Sequence, residues 1–159
     1  MKHLLIGLIS TVLLAQPHVQ AQTAASPTAP TALKKKTELY VGTGTPQNGV
    51  VSTIKQHLGS TTAPIGYSVD DASAVPATDF IEIFVGSDTA NNGVVSKNPN
   101  HAGGSTTSVG YLSLKPIPGG TKLYSGSGPC NNGVATNNTK HAGCNTEPLG
   151  YTLPLTWPN

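Results

Sequence analysis

Apolar and polar residues alternate along this chain in short runs, and no stretch keeps the spacing of an amphipathic helix. In "FIEIFVG", Ile81, Ile83 and Val85 fall on one side of an extended backbone, with Glu82 and Phe84 on the other. Plain alternation in "PIGYSV" groups Ile65, Tyr67 and Val69, and "PLGYTL" groups Leu149, Tyr151 and Leu153 in the same way. Gly, Pro, Asn and Thr punctuate the intervals, so short strands and tight turns are expected rather than helices. On this reading Tyr67, Tyr111 and Tyr151 face the core. Tyr40, Phe84 and Tyr124 have the opposite parity to their aliphatic neighbours and are the better candidates for stacking on a ligand.

The pattern is written three times. Units starting at Leu39, Ile83 and Leu123 align over 31 residues without a gap, at offsets of 44 and 40. They read "LYVGTGTPQNGVVSTIKQHLGSTTAPIGYSV", "IFVGSDTANNGVVSKNPNHAGGSTTSVGYLS" and "LYSGSGPCNNGVATNNTKHAGCNTEPLGYTL". Shared positions include Gly42, Gly86 and Gly126, the Asn-Gly-Val steps beginning at Asn48, Asn92 and Asn132, and the aliphatic-Gly-Tyr endings at Tyr67, Tyr111 and Tyr151. A period near 40 calls for a repeat architecture. Each unit is expected to hold four strands: an opening strand, "GVVS" or its equivalent, a short strand after His-x-Gly, and the closing strand. That makes twelve in all.

Three gapless four-strand units resemble a β-trefoil, a six-stranded barrel capped by three hairpins with pseudo-threefold symmetry. The resemblance implies an all-β fold spanning units 39–69, 83–113 and 123–153; a three-sheet β-prism has the same arithmetic. The "LY…VS…GY" wording is also loosely similar to short repeats attached to some secreted bacterial proteins, from which no residue role carries over.

The chain opens with "MKHLLIGLISTVLLAQPHVQAQ", in which a basic start, an apolar run from Leu4 to Ala15 and the small-residue pattern Val19-Gln20-Ala21 read as a signal peptide over residues 1–21. The run is short for a membrane span and no other segment competes, so a secreted or periplasmic protein without a membrane span is expected. Residues 22–36, "QTAASPTAPTALKKK", read as a flexible linker and residues 37–159 as the repeat domain. From residue 37 onward there are five Lys, no Arg and seven acidic residues, a net charge of −2, which disfavours nucleic acid as a partner. The two cysteines, Cys130 and Cys144, form an even pair in an exported chain and are expected to be a disulfide.

The candidate chemistry sits at repeated positions. Asn-Gly suits a turn needing positive φ, while the preceding Gln47, Asn91 and Asn131 carry amides able to donate and accept with a sugar hydroxyl. His57, His101 and His141 fit a structural loop hydrogen bond or a ligand contact; their 44- and 40-residue spacing lacks the close pair usual among zinc ligands. Thr62, Thr106 and Thr146 lie beside them. Asp70, Asp71, Asp79 and Glu82 cluster in the first connector without a calcium-loop or glycosidase pattern, and Trp157 is placed to pin the tail. No familiar hydrolase or nucleotide motif occurs. The expectation is a non-catalytic, lectin-like protein without metal or cofactor. Its partners would be glycans or cell-surface polysaccharide, with Gln47, Asn91, Asn131, His57, His101, His141, Thr62, Thr106 and Thr146 as contacts. A structural or envelope role, or inhibitor-like protein binding through the connectors, is the alternative, and a hydrolase ranks last.

Overall fold

The computed structural model describes residues 33–45, 47–57, 60–70, 77–88, 92–100, 104–128, 132–141 and 144–159. Eleven strands follow one another among these residues: β1 (Lys35–Gly42), β2 (Val51–Ser52), β3 (Gln56–His57), β4 (Ser60–Val69), β5 (Phe80–Gly86), β6 (Val95–Ser96), β7 (Thr106–Ser113), β8 (Lys122–Gly126), β9 (Ala135–Thr136), β10 (Lys140–His141) and β11 (Cys144–Tyr151). A 3-10 turn, Ala77–Asp79, leads into β5. The protein is all-β, and no helix among the described residues is long and apolar enough to cross a membrane. Residues 1–21, expected as a signal peptide, and most of the expected linker over 22–36 lie outside the described residues, while Lys35 and Lys36 of that linker are part of β1.

Each unit rests on one long antiparallel pair, β1 with β4, β5 with β7 and β8 with β11. The other edge of each opening strand takes a two-residue strand in one register: Tyr40 opposite Ser52, Phe84 opposite Ser96, Tyr124 opposite Thr136. β3 and β10 pair with the starts of β4 and β11, and both carry the His itself. The short third strand was expected after His-x-Gly. That segment instead belongs to the closing strand, which pairs continuously with its opening strand from Thr62 and Thr146 onward. The matching strand of the second unit would fall on residues 100–101, and residue 101 is outside the described set.

The units are joined head to tail at both ends of these pairs. At one end Val69 bridges Tyr111, Ser113 bridges Tyr151, and Leu153 bridges Tyr67, so unit one meets two, two meets three, and three meets one. At the other end Ser52 bridges Val94, Ser96 bridges Val134, and Thr136 bridges Val50. The backbone repeats this order, the amides of Thr53, Lys97 and Asn137 donating to the carbonyls of Gly93, Gly133 and Gly49 at 3.0, 3.0 and 3.2 Å.

The core follows the repeat. Leu39, Ile83 and Leu123 are fully buried together with Val51, Val95 and Ala135; Val109 and Leu149 join them, with Ile65 packed against the cluster. Val50, Val94 and Val134 form a second small cluster. Burying each of the Leu, Ile and Val side chains contributes roughly 1.5–3 kcal/mol, and the three-part composition explains why every unit keeps an aliphatic residue at these positions.

One feature of the strands departs from plain alternation. Leu39 lies opposite Gly66 but Tyr40 lies opposite Pro64, so Ile65 is an extra residue in β4. Val109 and Leu149 are extra in the same way, between the partners of Ile83 and Phe84 and of Leu123 and Tyr124. A one-residue bulge flips the parity of everything beyond it. Ile65 therefore packs inward while Tyr67 turns to the face that holds Tyr40, and the expected core position of Tyr67, Tyr111 and Tyr151 is replaced by a half-buried one on the outer face.

Candidate functional site

The Asn-Gly steps are turns that also seat a neighbouring unit. Gly49, Gly93 and Gly133 have φ of 81, 83 and 83°, and their amides donate to the carbonyls of Gly42, Gly86 and Gly126 at 2.8, 3.0 and 2.8 Å. A Cβ on Gly93 would stand 2.5 Å from Ile54 Cδ1, and one on Gly133 would stand 3.0 Å from Ser96 Oγ, both atoms of the preceding unit. Asn48, Asn92 and Asn132 are exposed and form parallel bridges with Gly42, Gly86 and Gly126. Gln47 is half-buried beside this rim, its carbonyl accepting from the Val50 amide at 3.0 Å. Asn91 and Asn131 lie outside the described residues.

The loops bearing the histidines are closed by the threonines. Thr62 Oγ1 donates to the Lys55 carbonyl at 2.5 Å, Thr146 Oγ1 to Thr139 at 2.7 Å, and Thr106 Oγ1 to Pro99. Each hydroxyl proton is thus committed to a carbonyl seven residues back, which accounts for the repeated Thr without a ligand. His141 is buried, with Nδ1 3.5 Å from Thr136 Oγ1, and burial lowers its pKa from the ordinary value. Of His57 only the backbone is described, paired with Ser60; His101 is outside the described residues. No cluster of three metal-ligating side chains occurs among the described residues.

A set of buried hydroxyls escaped the sequence reading. Ser52, Ser96 and Thr136 are fully buried, and each accepts from the amide two residues on, at 3.0, 3.0 and 3.1 Å. Ser96 Oγ also donates to the Gly133 carbonyl of the third unit at 3.0 Å. The signal available in the sequence was a hydroxyl at the same place in every unit.

The outer faces hold the most distinctive chemistry. Directly opposed residues share a face, so Glu38, Tyr67, Tyr40 and Pro64 lie together in unit one; Glu82, Tyr111, Phe84 and Ser108 in unit two; and Lys122, Tyr151, Tyr124 and Pro148 in unit three. Each face therefore carries two rings beside one charged side chain. In unit one Tyr40 is buried and its hydroxyl donates to Glu38 Oε2 at 2.5 Å. That hydrogen bond, with burial and the carboxylate charge adding to it, pushes the Tyr40 pKa up to about 12. Lys35 Nζ stands 4.7 Å from the centre of the Tyr67 ring, and Lys122 Nζ stands 5.3 Å from Tyr124 and 6.0 Å from Tyr151.

Among the described residues, the acidic side chains of the first connector do not form one site. Asp79 Oδ2 pairs with Lys115 Nζ at 2.6 Å, Glu82 lies on the outer face of β5, and the Asp70 amide donates to Lys34 at 2.8 Å. Asp71 is outside the described residues. Trp157 Nε1 donates to the Leu33 carbonyl at 2.8 Å, tying the tail to the start of the domain. Cys144 is disulfide-bonded, and its expected partner Cys130 lies outside the described residues. No protein-family model, curated protein or solved structure matches the chain.

Proposed function

We propose that the protein is a secreted or periplasmic lectin-like protein, a pseudo-threefold β-trefoil that binds glycans or cell-surface polysaccharide without catalysis. The observation that carries this reading is a face built three times in one register with two aromatic rings and a charged group, on which Tyr67, Phe84, Tyr111, Tyr124 and Tyr151 are half-buried while Tyr40 is buried. Aromatic rings stack on the C–H faces of pyranoses, and a carboxylate or amide beside them accepts from or donates to the ring hydroxyls. The exposed Asn48, Asn92 and Asn132 and the half-buried Gln47 offer polar contacts, to which the sequence adds Asn91 and Asn131. His57, His101 and His141 are the further contacts that the sequence offers, and Thr62, Thr106 and Thr146 donate to carbonyls on the near side of the His in each unit. For the fold, bridges between closing strands of successive units favour one closed barrel over the three separate sheets of a β-prism.

Single shallow sites bind weakly, and three on one body raise avidity by ~10²–10⁴ where a polymeric ligand spans them. A glycan array probed with the purified protein, at several pH values and with and without Ca²⁺, is expected to give hits among polysaccharides. No hit under any condition removes the lectin reading. A second reading, protein recognition by the connector end, is favoured by the exposure of Leu114 (48%) and Leu155 (45%); scrambling residues 115–122 would abolish that activity and leave glycan binding intact.

A further inference from the structure

We infer that the outer face of the second unit is a single site for a glycan bearing a protonated amine, an extension that rests on the lectin reading above. The argument comes from the sister faces. In units one and three the aromatic pair already holds an ammonium group from the chain itself, Lys35 over Tyr67 and Lys122 over Tyr124 and Tyr151. In unit two Phe84 and Tyr111 carry no such cation among the described residues, and Glu82 stands where unit three has Lys122. The same frame thus keeps its place for a cation and adds a negative charge beside it.

Among the described residues no lysine forms an ion pair with Glu82. Lys97 is engaged by Glu147 and Lys115 by Asp79. The Lys36 stem passes over Gly110, with Cδ 3.1 Å from where a Cβ there would lie, but its ammonium makes no ion pair among the described residues. Glu82, Phe84 and Tyr111 are all half-buried and reachable from solvent. Unit two is also the one that replaces the proline of this face, Pro64 or Pro148, with a residue able to donate and accept, Ser108. Two rings, a carboxylate and a hydroxyl fit a pyranose whose C–H face stacks while its ammonium meets Glu82. Cation–π attraction and a charge-assisted hydrogen bond reinforce each other there.

Isothermal titration of the full chain with a glucosamine hexasaccharide and with its fully N-acetylated counterpart, below the pKa of the amine, tests this. The amine form is expected to bind at one site per chain and more tightly than the acetylated form. Glu82→Gln should weaken the amine form at least ~10-fold and the acetylated form far less, and Phe84→Ala should abolish the preference for the amine form. Lys122→Glu removes the resident ammonium from the third face and gives it the carboxylate of the second, and should raise the stoichiometry to two, a gain that misfolding cannot imitate. Equal affinity for the two hexasaccharides, or an unchanged affinity after Glu82→Gln, overturns the amine site while leaving the lectin reading in place. Absence of binding to both hexasaccharides also overturns it, and the glycan array then decides the broader reading separately.

Discussion

Gly66→Ala is expected to be among the most damaging small substitutions in this chain, because the aliphatic-Gly-Tyr ending is where one unit's backbone lies on the next. Gly66 has φ of 136°, and a Cβ there would fall on the Leu153 carbonyl oxygen and 2.5 Å from Thr152 Oγ1. Gly110 has φ of 113°, and a Cβ would fall on the Val69 carbonyl oxygen and 2.9 Å from Ser68 Oγ. Gly150 lies outside the positive-φ region, and its nearest contacts would be Leu112 Cβ at 2.8 Å and the Ser113 carbonyl at 2.9 Å. Backbone strain at positive φ costs about 1–3 kcal/mol, and forcing an extra methyl into packed structure costs about 1–3 kcal/mol more. Gly66→Ala and Gly110→Ala should therefore lose about 2–6 kcal/mol and Gly150→Ala about 1–3 kcal/mol. Against the ~5–15 kcal/mol that a domain has in total, the first two approach unfolding. Equilibrium unfolding in guanidinium should show lower midpoints at an unchanged slope. A Gly66→Ala protein within ~0.5 kcal/mol of the parent, as for an ordinary surface change, would refute the inter-unit contact.

Three further outcomes follow from the loops and faces. Because burial holds the folded His141 pKa below its ordinary 6.5, the unfolded chain takes up the proton first, and stability falls as pH drops through 6.5 toward the folded value; calorimetry of His141→Gln should show a flatter acid slope, and an identical slope contradicts the burial. Tyr40 should ionise near pH 12 in a difference ultraviolet titration against Tyr40→Phe, and Glu38→Gln should bring it down toward the ordinary 10.0; the associated stability is complete below pH ~10 and lost as pH rises toward 12. Thr146→Val removes the donor to the Thr139 carbonyl, which water then reaches, so chemical unfolding should register a loss of about 0.5–1 kcal/mol. A loss above ~3 kcal/mol would mean that Thr146 does more than close its loop.

The threefold repeat was legible because the residues that mark it have few substitutes. Asn-Gly suits its turn, and Gly66, Gly110 and Gly150 lie where a neighbouring unit's backbone allows no side chain. The inward set Leu39, Ile83 and Leu123 was legible for the same reason, as one apolar position three times. The faces of the tyrosines were not. Alternation assumes one residue for one residue across a strand pair, and the extra Ile65, Val109 and Leu149 break that count without a residue type of their own. The bulge moved Tyr67, Tyr111 and Tyr151 beside Tyr40, Phe84 and Tyr124, and with them the most distinctive surface of the molecule. The threonines are a different case, since a repeated surface hydroxyl looks the same in sequence whether it meets a sugar or a backbone carbonyl.

Closure of the three units into a ring is read most directly by amide hydrogen exchange at Tyr67 and Leu153, the two residues that join the last unit to the first. The Tyr67 amide donates to the Leu153 carbonyl at 2.9 Å, and the Leu153 amide donates back to Tyr67 at 2.8 Å. Both are expected to exchange only through global unfolding, as slowly as amides in the paired interior of β5 and β7. Exchange at the rate of a fraying terminus at Tyr67 and Leu153, with the interior amides still protected, would mean an open sheet and would contradict the threefold account.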